Sequence, residues 1–187
     1  MGQRQDTNRP AQEPTKRHIR TATHADASTI YRFIVELAVY EREPDAVEVT
    51  PEILAAQLQQ PKPPFSCLLL ESDGMPIGFA LYFFNYSTWR GAPGLYLEDL
   101  YVTPEHRGAG HGRALLVHLA AIASAHGCAR MEWVVLDWNT TAMAFYETLG
   151  ARPVQEWTIF RLTGEPLHRL AAESTLSPEA LRPPEPR

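Results

Sequence analysis

Cysteine is scarce in this chain. Cys67 and Cys128 are the only two in 187 residues and form no Cys-x-x-Cys pair, which excludes a disulfide framework and a zinc knuckle. Long apolar runs are also missing. The longest stretch, Ala114 to Ala123, is interrupted by His118 and is too short to span a membrane. No apolar segment follows Arg4, Arg9, Lys16 and Arg17, so no secretory signal is expected, and the free cysteines imply a reducing, cytoplasmic setting. Basic residues are not in excess. Seventeen Lys and Arg against 22 Asp and Glu give a net charge of −5 and a pI near 5.8. That argues against non-specific binding to nucleic acid or to a membrane surface and leaves cationic substrates open. His106, His111, His118 and His126 have no metal-ligand spacing, so no metal is implied.

What is present is the composition of an ordinary globular domain, 44% hydrophobic and 21% charged. Residues 1–17 read as a polar, disordered tail and residues 174–187 as a proline-rich one, leaving one compact unit over 18–173. A short strand opens at Ile19. Thr23 with Asp26 starts a helix whose apolar positions run from Ile30 to Ala38. Thr50-Pro51 opens a second helix with Ile53, Leu54 and Leu58 inward. Phe65–Leu70 and Pro76–Asn85 read as a hairpin, and Leu95–Val102 as a further strand. A glycine-rich loop then leads into a helix ended by Gly127. A strand over Met131–Leu136, a helix over Thr141–Leu149 and a last strand over Gln155–Leu162 complete the order. This predicts a mixed α/β domain with a mostly antiparallel sheet flanked by helices.

The loop Arg107-Gly108-Ala109-Gly110-His111-Gly112-Arg113 carries the strongest chemistry. Glycines let backbone N–H groups approach an anion, and a helix N-terminus adds unpaired donors and its dipole. Gly-x-Gly-x-x-Gly would need glycine at Arg113, and a Walker loop would need Lys and a hydroxyl after its second glycine; neither is met. The spacing alone is also compatible with a plain tight turn.

Four segments resemble the GCN5-related N-acetyltransferases, and most closely the diamine (spermidine/spermine) and thialysine branch. They are Glu36-Leu37-Ala38-Val39-Tyr40-Glu41, Tyr96-Leu97-Glu98-Asp99-Leu100-Tyr101-Val102, Arg107–Gly112, and Asp137-Trp138-Asn139 with Phe145-Tyr146 and Gly150-Ala151. The resemblance covers roughly residues 19–171 and implies the acyl-CoA N-acyltransferase fold. It implies acetyl-CoA as co-substrate, held by Leu100, Tyr101 and Val102 and by Arg107, Gly108, Ala109, Gly110, His111, Gly112 and Arg113. The far end of the cofactor would meet Asn139, Thr140, Thr141 and Ala142. Tyr146 would lie near the thioester. Tyr40, Glu41, Glu98, Glu132, Trp133 and Val134 would meet the amine, with Glu156 as a further candidate. It also implies a homodimer.

Chemistry agrees with two of these roles. A phenol with an ordinary pKa near 10 can protonate a departing thiolate, which suits Tyr146, although its position beside Phe145 and Leu149 also suits helix packing. A carboxylate of ordinary pKa near 4.3 is a poor direct base for an alkylammonium, so Glu98 fits an anchor that accepts a proton through water. Strict alternation would point Glu98 and Asp99 to opposite sheet faces. The expected activity is direct acetylation of a primary amine on a small molecule: a diamine, a polyamine or a lysine-like amino acid. A protein or peptide acetyltransferase of the same fold and a non-catalytic acyl-CoA sensor are the competing readings.

Overall fold

The computed structural model describes residues 17–177 and 179–180. The tail expected over 1–17 lies outside the described residues except for Arg17, as do 178 and 181–187 of the tail expected at the other end. The chain divides into two units, Met1–Asn139 and Thr140–Arg187.

The first unit opens with β1 (Arg17–Thr21). Thr23 and Asp26 form the predicted capping box, but around a single 3-10 turn, His24–Asp26, that leads directly into α1 (Ala27–Glu41). Arg20 explains why this corner is firm. Its guanidinium bridges Asp26 at 2.7 Å and Glu71 at 2.8 Å, tying the helix start to the second strand. Thr50 caps α2 (Pro51–Leu58), its hydroxyl accepting from the Ile53 amide at 3.4 Å. Leu54 of α2 is buried and Leu58 packs at the core margin, whereas Ile53, expected inward, is 45% exposed. An eight-residue helix offers one narrow inner face, and Ile53 falls beside it.

The sheet is built from β1, β2 (Ser66–Ser72), β3 (Met75–Ser87), β4 (Ala92–Val102) and β5 (Met131–Glu132), in that spatial order. The first three pairings are antiparallel; β4 and β5 pair in parallel. One sheet face packs beneath α1 and α2. There Phe33 stacks on Phe79 at 5.5 Å and meets Tyr101 at 6.0 Å, within a cluster including Ile30, Leu54, Cys67, Leu69 and Leu81. Alternation sends Leu68, Leu70, Ala80, Leu97 and Val102 to the other face, where α3 (His111–Ala125) lies against β2, β3 and β4 with Leu115, Leu116 and Leu119 buried.

Two irregularities shape β4. A bulge shifts its register: Leu81 faces Asp99 while Tyr82 faces Leu97, so Glu98 is the extra residue. Strict alternation therefore fails at this pair, and Asp99 lines up with Leu81 of the core beneath α1. The parallel pairing with β5 lasts only from Leu95 and Tyr96 opposite Met131 and Glu132. The strand expected over Met131–Leu136 is thus much shorter, because beyond Glu132 the chain leaves β4 and has no ladder partner among the described residues; Val134 and Leu136 are exposed.

The second unit holds α4 (Thr140–Thr148) and α5 (Gly164–Ala172). Gly150, with φ of +87°, follows α4 as expected of a C-terminal glycine. The strand expected over Gln155–Leu162 does not form. No strand among the described residues pairs with it, and its apolar side chains, Phe160 at 93% exposure among them, stand in the open. The sequence reading missed α5, although Leu167, Leu170 and Ala171 recur at helical spacing after Thr163.

Candidate active site

The glycine loop is a strand-to-helix junction. After β4, a short 3-10 turn (Pro104–His106) delivers the chain to Arg107, and α3 begins at His111 behind Gly110 as its N-cap. Gly108 and Gly110 both have φ of +79°, a left-handed backbone that L side chains rarely adopt. A Cβ at either position would meet nothing within 4 Å, so the space over the loop is open. The first amides of α3 have no intrahelical acceptor and carry the positive end of the helix dipole. These features fit a pyrophosphate.

His111 sits at the start of α3 but is buried, and its Nδ1 has no hydrogen-bond partner among the described residues. Burial, and then nearby Arg17 and His106, pull its pKa below the ordinary range. It therefore offers an anion its backbone amide rather than a charged ring. Arg107 is anchored elsewhere than the cradle. Its Nε donates to the Val102 carbonyl at 2.8 Å, and its guanidinium lies over the rings of Tyr40 (4.8 Å) and Tyr101 (5.3 Å). It fixes the loop to the end of β4 and to the last turn of α1.

From Leu97 to Val102, β4 runs on without a strand partner on the β5 side among the described residues. Main-chain groups of this edge, including those of Leu100, Tyr101 and Val102, can receive the amides of an extended molecule such as pantetheine.

The last turn of α1 brings more of the predicted residues together. The Tyr40 hydroxyl donates to Asn139 Oδ1 at 3.3 Å, and its ring meets Trp138 at 5.8 Å. Arg42, left-handed with φ of +69°, ends α1 and places its guanidinium 4.5 Å from the centre of the Trp138 ring. Glu41 is half-buried, and burial raises its pKa. At the bulge, Glu98 is exposed while Asp99 is largely buried; burial first, then the charges of Glu98 and Glu41, push Asp99 up to about 7. Glu41, Glu98 and Asp99 thus form one electrostatic group. Asp99 escaped the sequence reading, because only the bulge puts it on the α1 face.

Glu132 does not join them. It pairs with Arg130 at 2.7 Å and accepts from Asn85 Nδ2 at 3.4 Å, so its charge is already met. Trp133 follows it, half-buried, and Val134 is exposed. In the second unit, Thr140, Thr141 and Ala142 form the first turn of α4, and Tyr146 lies on the same helix with its ring 5.4 Å from Phe145. Glu156 lies in the exposed segment after Gly150. Burial pushes the Cys67 thiol well up, which removes it as a nucleophile. Among the described residues no group of three or more His, Cys, Asp or Glu could hold a metal ion, and no helix is long and apolar enough to cross a membrane.

Known proteins resemble this chain in sequence and in fold. The profile of the acetyltransferase (GNAT) family matches residues 29–151. Thialysine N-epsilon-acetyltransferase of Bos taurus is 40% identical, covering 83% of this chain and 97% of that protein. Spermidine/spermine N(1)-acetyltransferase-like protein 1 of Homo sapiens is 36% identical over 83% of this chain and 24% of its own length. Among solved structures, an integron cassette protein from the mobile metagenome of V. cholerae is 27% identical with a TM-score of 0.70, covering 83% of this chain and 97% of that one. The family match over most of the folded chain and the 40% identity along nearly the whole of the bovine enzyme agree, and the chain belongs to the GNAT family as an N-acetyltransferase.

Proposed function

We propose that the enzyme transfers the acetyl group of acetyl-CoA to a primary amine of a small lysine-like amino acid, diamine or polyamine. The observation that carries the amine class is the carboxylate group Glu41, Glu98 and Asp99 beside the open edge of β4. Such a group favours a cation, and the net charge of −5 favours its approach. The relative that acts on thialysine supports an amino-acid substrate and the spermidine/spermine-like relative a polyamine.

Acetyl-CoA supplies an activated acyl thioester. The α3 amides from His111 to Arg113 and the loop at Gly108–Gly110 hold its pyrophosphate; Leu100–Val102 hold the pantetheine through the main chain; Asn139–Ala142 meet its far end. Glu98 anchors the ammonium and starts removal of its proton through water, with Tyr40 and Glu41 completing the amine pocket. Glu132, neutralised by Arg130, contributes shape with Trp133 and Val134 rather than charge. Tyr146 protonates the departing sulfur, and Glu156 is a further contact to the amine. The nitrogen bonds to the acyl carbon as the C–S bond breaks, with no acyl-enzyme.

We further propose that residues 18–173 carry this activity, that the protein works in the cytoplasm, where its two free thiols stay reduced, and that it forms a homodimer. Trp157, Ile159, Phe160, Leu167 and Leu170, all exposed, favour self-association. A thiol-release assay with thialysine, ornithine, spermidine and a lysine-rich peptide tests the function. Turnover of the small amines supports it, preference for the peptide transfers the activity to proteins, and CoA binding without turnover of any amine makes the protein a sensor.

A further inference from the structure

Asp99 is a half-buried carboxyl that adds charge to the amine site but has no step of its own in the scheme above. Its place follows from the bulge in β4, which aligns it with Leu81 beneath α1 and sets it next to Glu98, the proposed anchor. The groups that act on it are Glu98 on its own strand and Glu41 from α1, while its own charge acts on the buried Cys67 thiol of β2. Among the described residues no cation and no hydrogen-bond donor stabilises its charged form.

A proton store needs those surroundings. A fully exposed carboxylate holds a proton too weakly to draw one from an alkylammonium, and a salt-bridged one holds it more weakly still. Asp26 is the contrast within this chain: Arg20 holds its carboxyl down to about 2. Asp99 has burial and two like charges instead, and is pushed up to about 7, close to the pH at which the enzyme would work.

We propose that Asp99 is the resting place of the proton removed from the amine, a role that rests on the amine-acetylation reading above. Glu98 holds the substrate and starts the proton on its way through water, without keeping it. The ammonium gives one proton, through water, to the Asp99 carboxylate, leaving a neutral amine and a neutral carboxylic acid. The nitrogen loses its second proton to water as the N–C bond forms and the C–S bond breaks, and Tyr146, having given its proton to sulfur, regains one from water. Asp99 returns its proton to solvent before the next turnover. The bulge thus divides the work between neighbouring residues: Glu98 anchors the amine and starts the proton on its way, and Asp99 stores it.

The test uses the full-length protein. In protein carrying carboxyl-13C aspartate, NMR titration should show one aspartate with a midpoint near 7 that disappears in Asp99→Asn. The kcat/KM profile for thialysine with acetyl-CoA should have an acid limb at the same pH. Asp99→Asn should abolish that limb and lower kcat roughly 100-fold or more at pH 8. Glu41→Gln, which removes one of the two like charges, should move both the resonance and the limb to lower pH. An acid limb that survives unchanged in Asp99→Asn, or the lack of any aspartate titrating near neutrality, overturns the proposal. If CoA binds but no amine turns over, the amine reading fails and takes this role with it. Turnover with a limb unmoved by either variant refutes the role of Asp99 alone.

Discussion

Replacing Gly110 by valine separates backbone strain from anion binding. Gly110 has φ of +79° as the N-cap of α3, and a Cβ there would touch nothing within 4 Å. Steric clash therefore contributes nothing, and the whole effect is conformational. A left-handed non-glycine residue costs about 1–2 kcal/mol. For a chain of this length that lowers Tm by roughly 2–8 °C. Either the loop keeps its shape and bears the strain, or it relaxes and turns amides away from the pyrophosphate. Losing one charge-assisted hydrogen bond costs about 1.5–3 kcal/mol, so relaxation should weaken CoA binding roughly 10- to 100-fold. Gly74 supplies a matched control. It too has φ of +79° with nothing near a built Cβ, but it lies in the β2–β3 turn. Gly74→Val should lose similar stability and bind CoA like the wild type. Calorimetric titration with CoA and thermal melts of both variants decide the matter. If Gly110→Val melts lower yet binds CoA unchanged, the loop is not the cradle; if neither variant melts lower, the strain argument is wrong.

Tyr146→Phe keeps the ring beside Phe145 and removes only the hydroxyl, so kcat should fall about 100-fold with CoA affinity and Tm nearly unchanged; wild-type turnover would strike Tyr146 from the mechanism. Glu41→Gln should raise KM several-fold more for a diamine than for a monoamine of equal length, and equal effects would assign Glu41 to the solvated charges of α1. Asp26 is held at about 2, below its unfolded value near 4, so its contribution is present above pH 4 and is lost as pH falls towards 2. Asp26→Asn should therefore destabilise by on the order of 1–2 kcal/mol at pH 7 and by little at pH 2, read from denaturant midpoints. Asp99 has the opposite sign. Its folded pKa of about 7 lies above the unfolded one, so the native state loses stability as pH rises from 4 through 7, and Asp99→Asn should raise Tm at pH 8 more than at pH 5.

Helix starts and turns were the most legible parts of this fold, because they are set by local chemistry. Thr50-Pro51, the Thr23–Asp26 box, Gly127 and Gly150 all mark the boundaries that form. The glycine loop was legible for the same reason: a left-handed N-cap is a local demand. Strands were legible only where a neighbour exists to pair with them. Met131–Leu136 and Gln155–Leu162 have suitable side chains, but a ladder needs a second backbone, and sequence does not say where that backbone runs. The site suffered likewise from long-range geometry. Glu132 looked available until Arg130 and Asn85 came to meet it, and Asp99 looked like the back of a strand until one extra residue turned it. Arg107, expected to add charge at the phosphates, is instead drawn across Tyr40 and Tyr101 by their ring faces.

The separation of β4 from β5 has a consequence for how the protein is handled. Leu95 and Tyr96 lie inside a ladder, whereas Leu97–Val102 present one edge with no strand beside it among the described residues. Such an edge can template a foreign strand, and chains commonly guard it with charge or a bulge; here Glu98 supplies both. Amide hydrogens along β4 should therefore exchange unevenly, slowly at Leu95 and faster towards the open part, and CoA should erase the difference. Protein purified with CoA should clump less on warming than protein without it, because the same main-chain groups that accept the acyl carrier are those through which two molecules would stick.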